Sequence, residues 1–98
     1  MIRHTVLMAW TPEATAEQRQ AVLDGLAGLP GVVPSIRSYT FGPDAGAVDG
    51  NYDFAVVADF EDVDGFLAYR NHPDHVRLVT ECIAPILRTR AAVQFELP

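Results

Sequence analysis

The chain has one cysteine, Cys82, in 98 residues. A lone thiol closes no disulfide within its own chain, so neither a disulfide scaffold nor a cysteine-rich zinc site is available to it. Basic residues are also few, seven against thirteen acidic ones, for a net charge of −6. They are scattered along the sequence instead of forming a stripe. This argues against nucleic acid, which is held by clustered cations, and against an anionic membrane surface. No apolar run approaches the ~20 residues that a helix needs to cross a bilayer. The opening "MIRHTVLMAW" carries a short apolar stretch but neither the long hydrophobic segment nor the cleavage signal of a secretory leader, so a cytoplasmic setting is expected. There is no Gly-rich phosphate loop after a strand, no cysteine–histidine haem motif and no nucleophile elbow. No cofactor is expected.

Apolar residues make up 49% of the chain, which suits a globular fold. The length predicts a single domain over residues 1–98, small enough to gain from association. Ile2 to Trp10 is rich in β-branched and aromatic residues and reads as a strand with both faces largely apolar. Thr15, with Gln18 three residues on, predicts a capped helix that carries Ala21, Val22, Leu26 and Leu29 inward and ends near Gly31. Ser35–Gly42 and Tyr52–Phe60 read as further strands, separated by the turn-rich "GPDAGAVDGN", which is expected to be mobile. Asp62 is a plausible N-cap for a short helix that Pro73 interrupts, and proline is at home in the first turn of a new one. That second helix should bury Val76, Val79, Cys82 and Ile83 until Pro85 kinks or ends it. "TRAAVQFEL" reads as the last strand, with Ala91, Val93, Phe95 and Leu97 on one face.

The order β-α-β-β-α(α)-β predicts an α+β, ferredoxin-like βαββαβ protomer: a four-stranded antiparallel sheet with helices on one face. The other face then needs cover. Leu7, Ala9, Tyr39, Phe41, Ala55 and Val57 are assigned to it, and a second copy of the chain is the economical cover. A homodimer is expected.

"MIRHTVLMAW", "YDFAVVADFED" and above all "YRNHPDHV" resemble the Dabb family, the stress-responsive dimeric α/β-barrel proteins, over essentially the whole chain. The resemblance implies a ferredoxin-like protomer that pairs sheet to sheet into a barrel. One branch of that family comprises plant polyketide cyclases, which close a linear tetraketide thioester by aldol chemistry without a cofactor. The resemblance to that branch implies catalytic roles for Tyr69 and His75 and a pocket-lining role for His4. Where those cyclases carry a pocket histidine in the third strand, this chain has Phe54.

The residues themselves permit that chemistry. A histidine in the first turn of a helix feels the positive end of the dipole, which favours a neutral imidazole able to take a proton. A tyrosine beside it can polarise a carbonyl, and base plus oxyanion donor is the minimum for enolisation. The alternative is that His75 and Tyr69 only bond each other or the backbone at a helix junction. His72, directly before Pro73, is better read as a cap. His4 on an apolar strand face is either a satisfied core residue or the polar end of a pocket. Strand and helix spacing predict a pocket lined by Val6, Met8, Leu26, Phe54, Val56, Leu78 and Val93 around His4, Tyr69 and His75. The H-x-x-H spacing across a proline does not place two imidazoles on one helical face, so no metal is expected. The predicted ligand is a hydrophobic or aromatic small molecule. A ligand carrier without activity and a cofactor-free monooxygenase are the competing readings.

Overall fold

A computed structural model describes all residues, Met1–Pro98. Strand β1 (Ile2–Trp10) leads into helix α1 (Ala16–Gly28), which closes with a 3-10 turn at Leu29–Gly31. Strands β2 (Ile36–Pro43) and β3 (Phe54–Phe60) follow, then helices α2 (Val63–Arg70) and α3 (Pro73–Leu78). A π-helical turn (Val79–Ile83) and a 3-10 turn (Ala84–Ile86) deliver the chain to β4 (Leu87–Glu96). The sheet order is β2-β3-β1-β4 with every pair antiparallel, the ferredoxin-like arrangement.

Local chemistry accounts for the boundaries. Thr15 and Gln18 form a reciprocal capping box at the start of α1, which satisfies amides the first turn would leave free. Asp62 caps α2 by accepting from the Gly65 amide at 2.9 Å. His72 caps α3 by accepting the Asp74 amide on Nδ1 at 3.1 Å, with Pro73 in the first helical position. Pro85 has no amide proton to continue an α-helical ladder. The Ala84 amide instead reaches back five residues to the Val79 carbonyl. The β2–β3 loop is closed by the Asp44 amide donating to the Asp53 carbonyl at 2.8 Å. The Asp44 carboxylate further accepts from Gly46 and Asn51. Gly46 and Gly50 take φ of 76° and 89° there, a left-handed backbone open to glycine.

The core lies between the sheet and the helices. Val6, Met8, Phe54, Val56, Ala58 and Phe60 face Val22, Leu26, Leu29, Tyr69, Leu78, Ile83 and Ile86. Some expected inward positions differ. Ala21 is exposed, and Leu23 packs in its stead, half-buried. Val76 is exposed, because the chain enters α3 from Pro73 with Leu78 as its inward residue. Tyr39 and Phe41 pack on the helix side and not on the far face. Their register explains it: they pair with Ala58 and Val56, which point to the helices, after an irregularity between Ile36 and Ser38. The far face carries Thr5, Leu7, Ala55, Val57, Ala91, Val93 and Phe95, which no element of the chain covers; Leu7, Val93 and Phe95 are among its exposed large apolar residues. One ion pair sits on that face: Arg3 donates twice to Asp59, at 2.8 and 2.9 Å, and Ser38 donates to it at 2.8 Å. The Arg3 hydrogen bond holds the Asp59 carboxyl below its usual range. No helix is long and apolar enough to cross a membrane.

Candidate functional site

The helix layer stops short of β4, whose residues are exposed on the helix side as well as the far side apart from the half-buried Leu87. That gap leaves a cavity of about 490 Å³ between β1, β4, α2 and the π-helical turn. His4, Val6, Met8, Leu26, Val56, Tyr69 and His75 all line it.

Three of the residues singled out for the pocket lie elsewhere. Phe54 is buried, but two positions further along β3, where its ring packs 5.8 Å from Trp10 at the other end of the sheet. Leu78 is buried against α1, so close to Gly25 that a Cβ there would collide with it. Val93 points to the far face, since its register partner is Thr5 and not His4. Apolar pattern could not tell the two faces of β4 apart, because the far face is the more apolar one. The cavity side is formed by the alternate residues Arg90, Ala92 and Gln94. Phe66, Arg70, Val79, Ile83 and Leu87 complete the lining. The sequence singled out neither Arg70, although it directly follows Tyr69, nor Gln94, which became a neighbour of His4 only through the β1–β4 register.

The polar groups form a chain of rings. Tyr69 lies 4.3 Å from His75 and 6.2 Å from His4 between ring centroids. Phe66 stacks at a tilt 4.8 Å from His4. The Tyr69 hydroxyl shares a 2.8 Å hydrogen bond with Tyr39, a partner that sequence reasoning had placed on the opposite face. Burial pushes the Tyr69 and Tyr39 hydroxyls up, so both stay protonated.

The two histidines are fixed in complementary tautomers. The Arg70 carbonyl lies 3.0 Å from His75 Nδ1. A carbonyl only accepts, so Nδ1 carries the proton and Nε2 of the neutral ring keeps its lone pair. The Gln94 amide nitrogen lies 2.7 Å from His4 Nδ1. That nitrogen donates, so His4 Nδ1 accepts and its proton resides on Nε2. Burial, with smaller contributions from Arg90 and His75, lowers His4 to about 4. Burial also lowers His75, against the opposing pull of its bond to the Arg70 carbonyl, and the Arg70 and His72 charges add to the lowering. Both rings are therefore neutral near pH 7, one offering an N–H and the other a basic nitrogen. No group of three His, Cys, Asp or Glu side chains comes together in a way that could hold a metal ion. His72 is occupied with its cap, and Cys82 is a free, half-buried thiol packed against the core.

A ferredoxin-like sheet with a small, mostly apolar cavity under its helices defines a protomer of the α/β-barrel class. The profile of the stress-responsive A/B barrel domain, Dabb, matches residues 2–97, and the chain belongs to that family. It is similar to a dimeric ferredoxin-like protein of unknown function from Thermobifida fusca, at 48% identity and a TM-score of 0.91, covering 98% of this chain and 90% of that one. A dimeric ferredoxin-like protein from Bacteroides fragilis shares the fold at 22% identity and a TM-score of 0.86, over 98% of this chain and 95% of the other. So does a hydroxynitrile lyase from Passiflora edulis, at 17% identity and a TM-score of 0.86, over 99% and 93%. Among curated proteins, none matches the chain.

Proposed function

We propose that the chain works as a homodimer that binds a hydrophobic or aromatic carbonyl compound in this cavity and carries out cofactor-independent acid–base chemistry on it, in the manner of a polyketide cyclase. The observation that carries the reading is the meeting of Tyr69, His75 and His4 in one apolar cavity. His75, with its lone pair on Nε2, is the base that removes a proton beside the carbonyl. Tyr69 is the donor to the developing enolate oxygen. Either hydroxyl can donate in the Tyr39–Tyr69 bond; when Tyr39 does, the Tyr69 proton is left for the ligand. His4 Nε2–H is a second donor at the same end. A hydrophobic substrate suits the remaining walls, Val6, Met8, Leu26 and Ile83. That one protein of this fold is a hydroxynitrile lyase fits an enzymatic use of the scaffold.

The dimer rests on the uncovered far face and on the dimeric state described for the Thermobifida fusca and Bacteroides fragilis proteins. A cytoplasmic setting, where Cys82 stays a thiol, belongs to the same reading.

The test is His75→Gln. Glutamine keeps hydrogen-bonding capacity and much of the volume but takes no proton in this pH range. Turnover of polyketide-type thioesters, measured over a panel of aromatic precursors, should fall by about 10²-fold or more with fold and assembly retained. Full turnover by the variant would remove His75 as the base.

A further inference from the structure

The cavity has a charge opposite to that of the chain. Thirteen acidic residues are spread over the protein, yet none lines the cavity, whereas Arg70 and Arg90 both do. Most of the other cations are engaged. Arg3, Arg37 and Arg77 are ion-paired to Asp59, Glu61 and Asp74. Arg19 donates to the Ala14 carbonyl. Arg70 and Arg90 make no ion pair and no side-chain hydrogen bond, although acidic residues outnumber basic ones nearly two to one.

Their placement is specific. Arg70 is the last residue of α2 and Arg90 lies on β4, so the two come from different walls. Both are exposed while also lining the cavity, which puts them at its mouth. One guanidinium acts on each imidazole, Arg90 on His4 and Arg70 on His75. An exposed, unpaired arginine is ordinary, and Arg88 is another. Two of them flanking an apolar cavity without a counter-charge leave a place for an anion. A guanidinium offers a planar fork of N–H donors that matches a carboxylate.

We propose that the pocket selects ligands that join an apolar or aromatic body to a carboxylate. Arg70 and Arg90 hold the carboxylate at the mouth, and the body lies inward against Val6, Met8 and Leu26. This rests on the cavity being the ligand site proposed above and adds the class of ligand it takes. It also orients that ligand: with its carboxylate at the mouth, the inner part of the molecule is presented to Tyr69 and His75.

Binding of 2-naphthoate and of its uncharged counterpart 2-naphthamide, measured by calorimetry at low ionic strength, tests the assignment. The wild type should bind naphthoate about 10-fold or more tightly than naphthamide, and the advantage should shrink as salt is added. Arg70→Gln and Arg90→Gln should each reduce the preference and together abolish it, with urea-melt midpoints close to wild type as the control for the fold. Arg88→Gln, outside the cavity, should leave the preference intact. Equal binding of the two probes by the wild type overturns the carboxylate assignment and leaves the apolar ligand site standing. A preference that survives in the double variant overturns the role of the two arginines. Binding of neither probe overturns this inference and the ligand-site reading together.

Discussion

Leu7 and Met8 are neighbours on β1 with opposite surroundings. Met8 is 4% exposed and faces the helices; Leu7 is 36% exposed and faces nothing in its own chain. The contrast extends across the sheet. On the helix face, side chains meet an irregular layer of α1, α2 and the π-helical turn, and a layer that fails to reach β4 leaves a cavity there. The far face carries small and medium apolar residues such as Ala55, Val57, Ala91 and Val93, together with the Arg3–Asp59 pair. One strand alternation thus produces two apolar surfaces with different uses. An uneven cover makes a site. A regular uncovered surface makes a place for a second regular surface.

The sharpest way to break that comparison is Leu7→Asp. If a second copy covers the far face, the change buries an unpaired charge in each protomer at a cost of several kcal/mol. Sedimentation equilibrium should then show the mass fall from two chains to one. On a face open to water the same substitution would cost within about 0.5 kcal/mol and leave the mass alone. Met8→Ala, one residue away, should do the reverse. It should lower stability in a urea melt by about 2–5 kcal/mol, toward the low end because Met8 already borders a cavity, and leave the mass unchanged.

Acid should act through the helix face as well. His4 titrates near 4 in the fold and near 6.5 when free. The unfolded chain therefore binds the proton more readily, and stability rises with pH in that window. Stability is fully present above pH ~6.5 and falls as pH drops toward 4, by on the order of 3 kcal/mol if His4 acts alone. His75 shifts in the same direction and adds to the slope. Urea melts across that range should show the slope, and His4→Gln should flatten it. A slope unchanged in the variant would place the acid sensitivity elsewhere.

The smallest effect concerns Tyr39→Phe. It removes one partner of the 2.8 Å bond to Tyr69, costing about 1–3 kcal/mol if the buried Tyr69 hydroxyl is left unsatisfied. Turnover should fall further than stability alone explains if Tyr39 orients the Tyr69 proton. Equal losses in stability and none in turnover at permissive temperature would reduce Tyr39 to a packing role.

Much of the site was readable in order of residues. The proline between His72 and His75 announced a helix break, and the cap at His72 followed from it. Strand alternation put His4, Val6 and Met8 on one face, where they are found. The errors have two causes. Tyr39, Phe41 and Val93 were assigned to the wrong face because both faces of this sheet are apolar, so hydrophobicity carries no sign. Phe54 and Leu78 have the right alternation or spacing but the wrong position along their elements, and no local pattern reports distance along a strand from a cavity.

The sequence by itself determined the elements, their caps and their order, because those depend on contacts between residues a few positions apart. It also determined the family, through motifs spread over the whole chain. Only the tertiary structure decided that Gln94 stands beside His4, that Tyr39 holds Tyr69, and that Arg70 and Arg90 share one cavity. Those neighbours are brought together by strand register and by the reach of the helix layer. Both are settled by packing between distant segments, where an irregularity between Ile36 and Ser38 or the reach of the helices toward β4 changes which side chains meet.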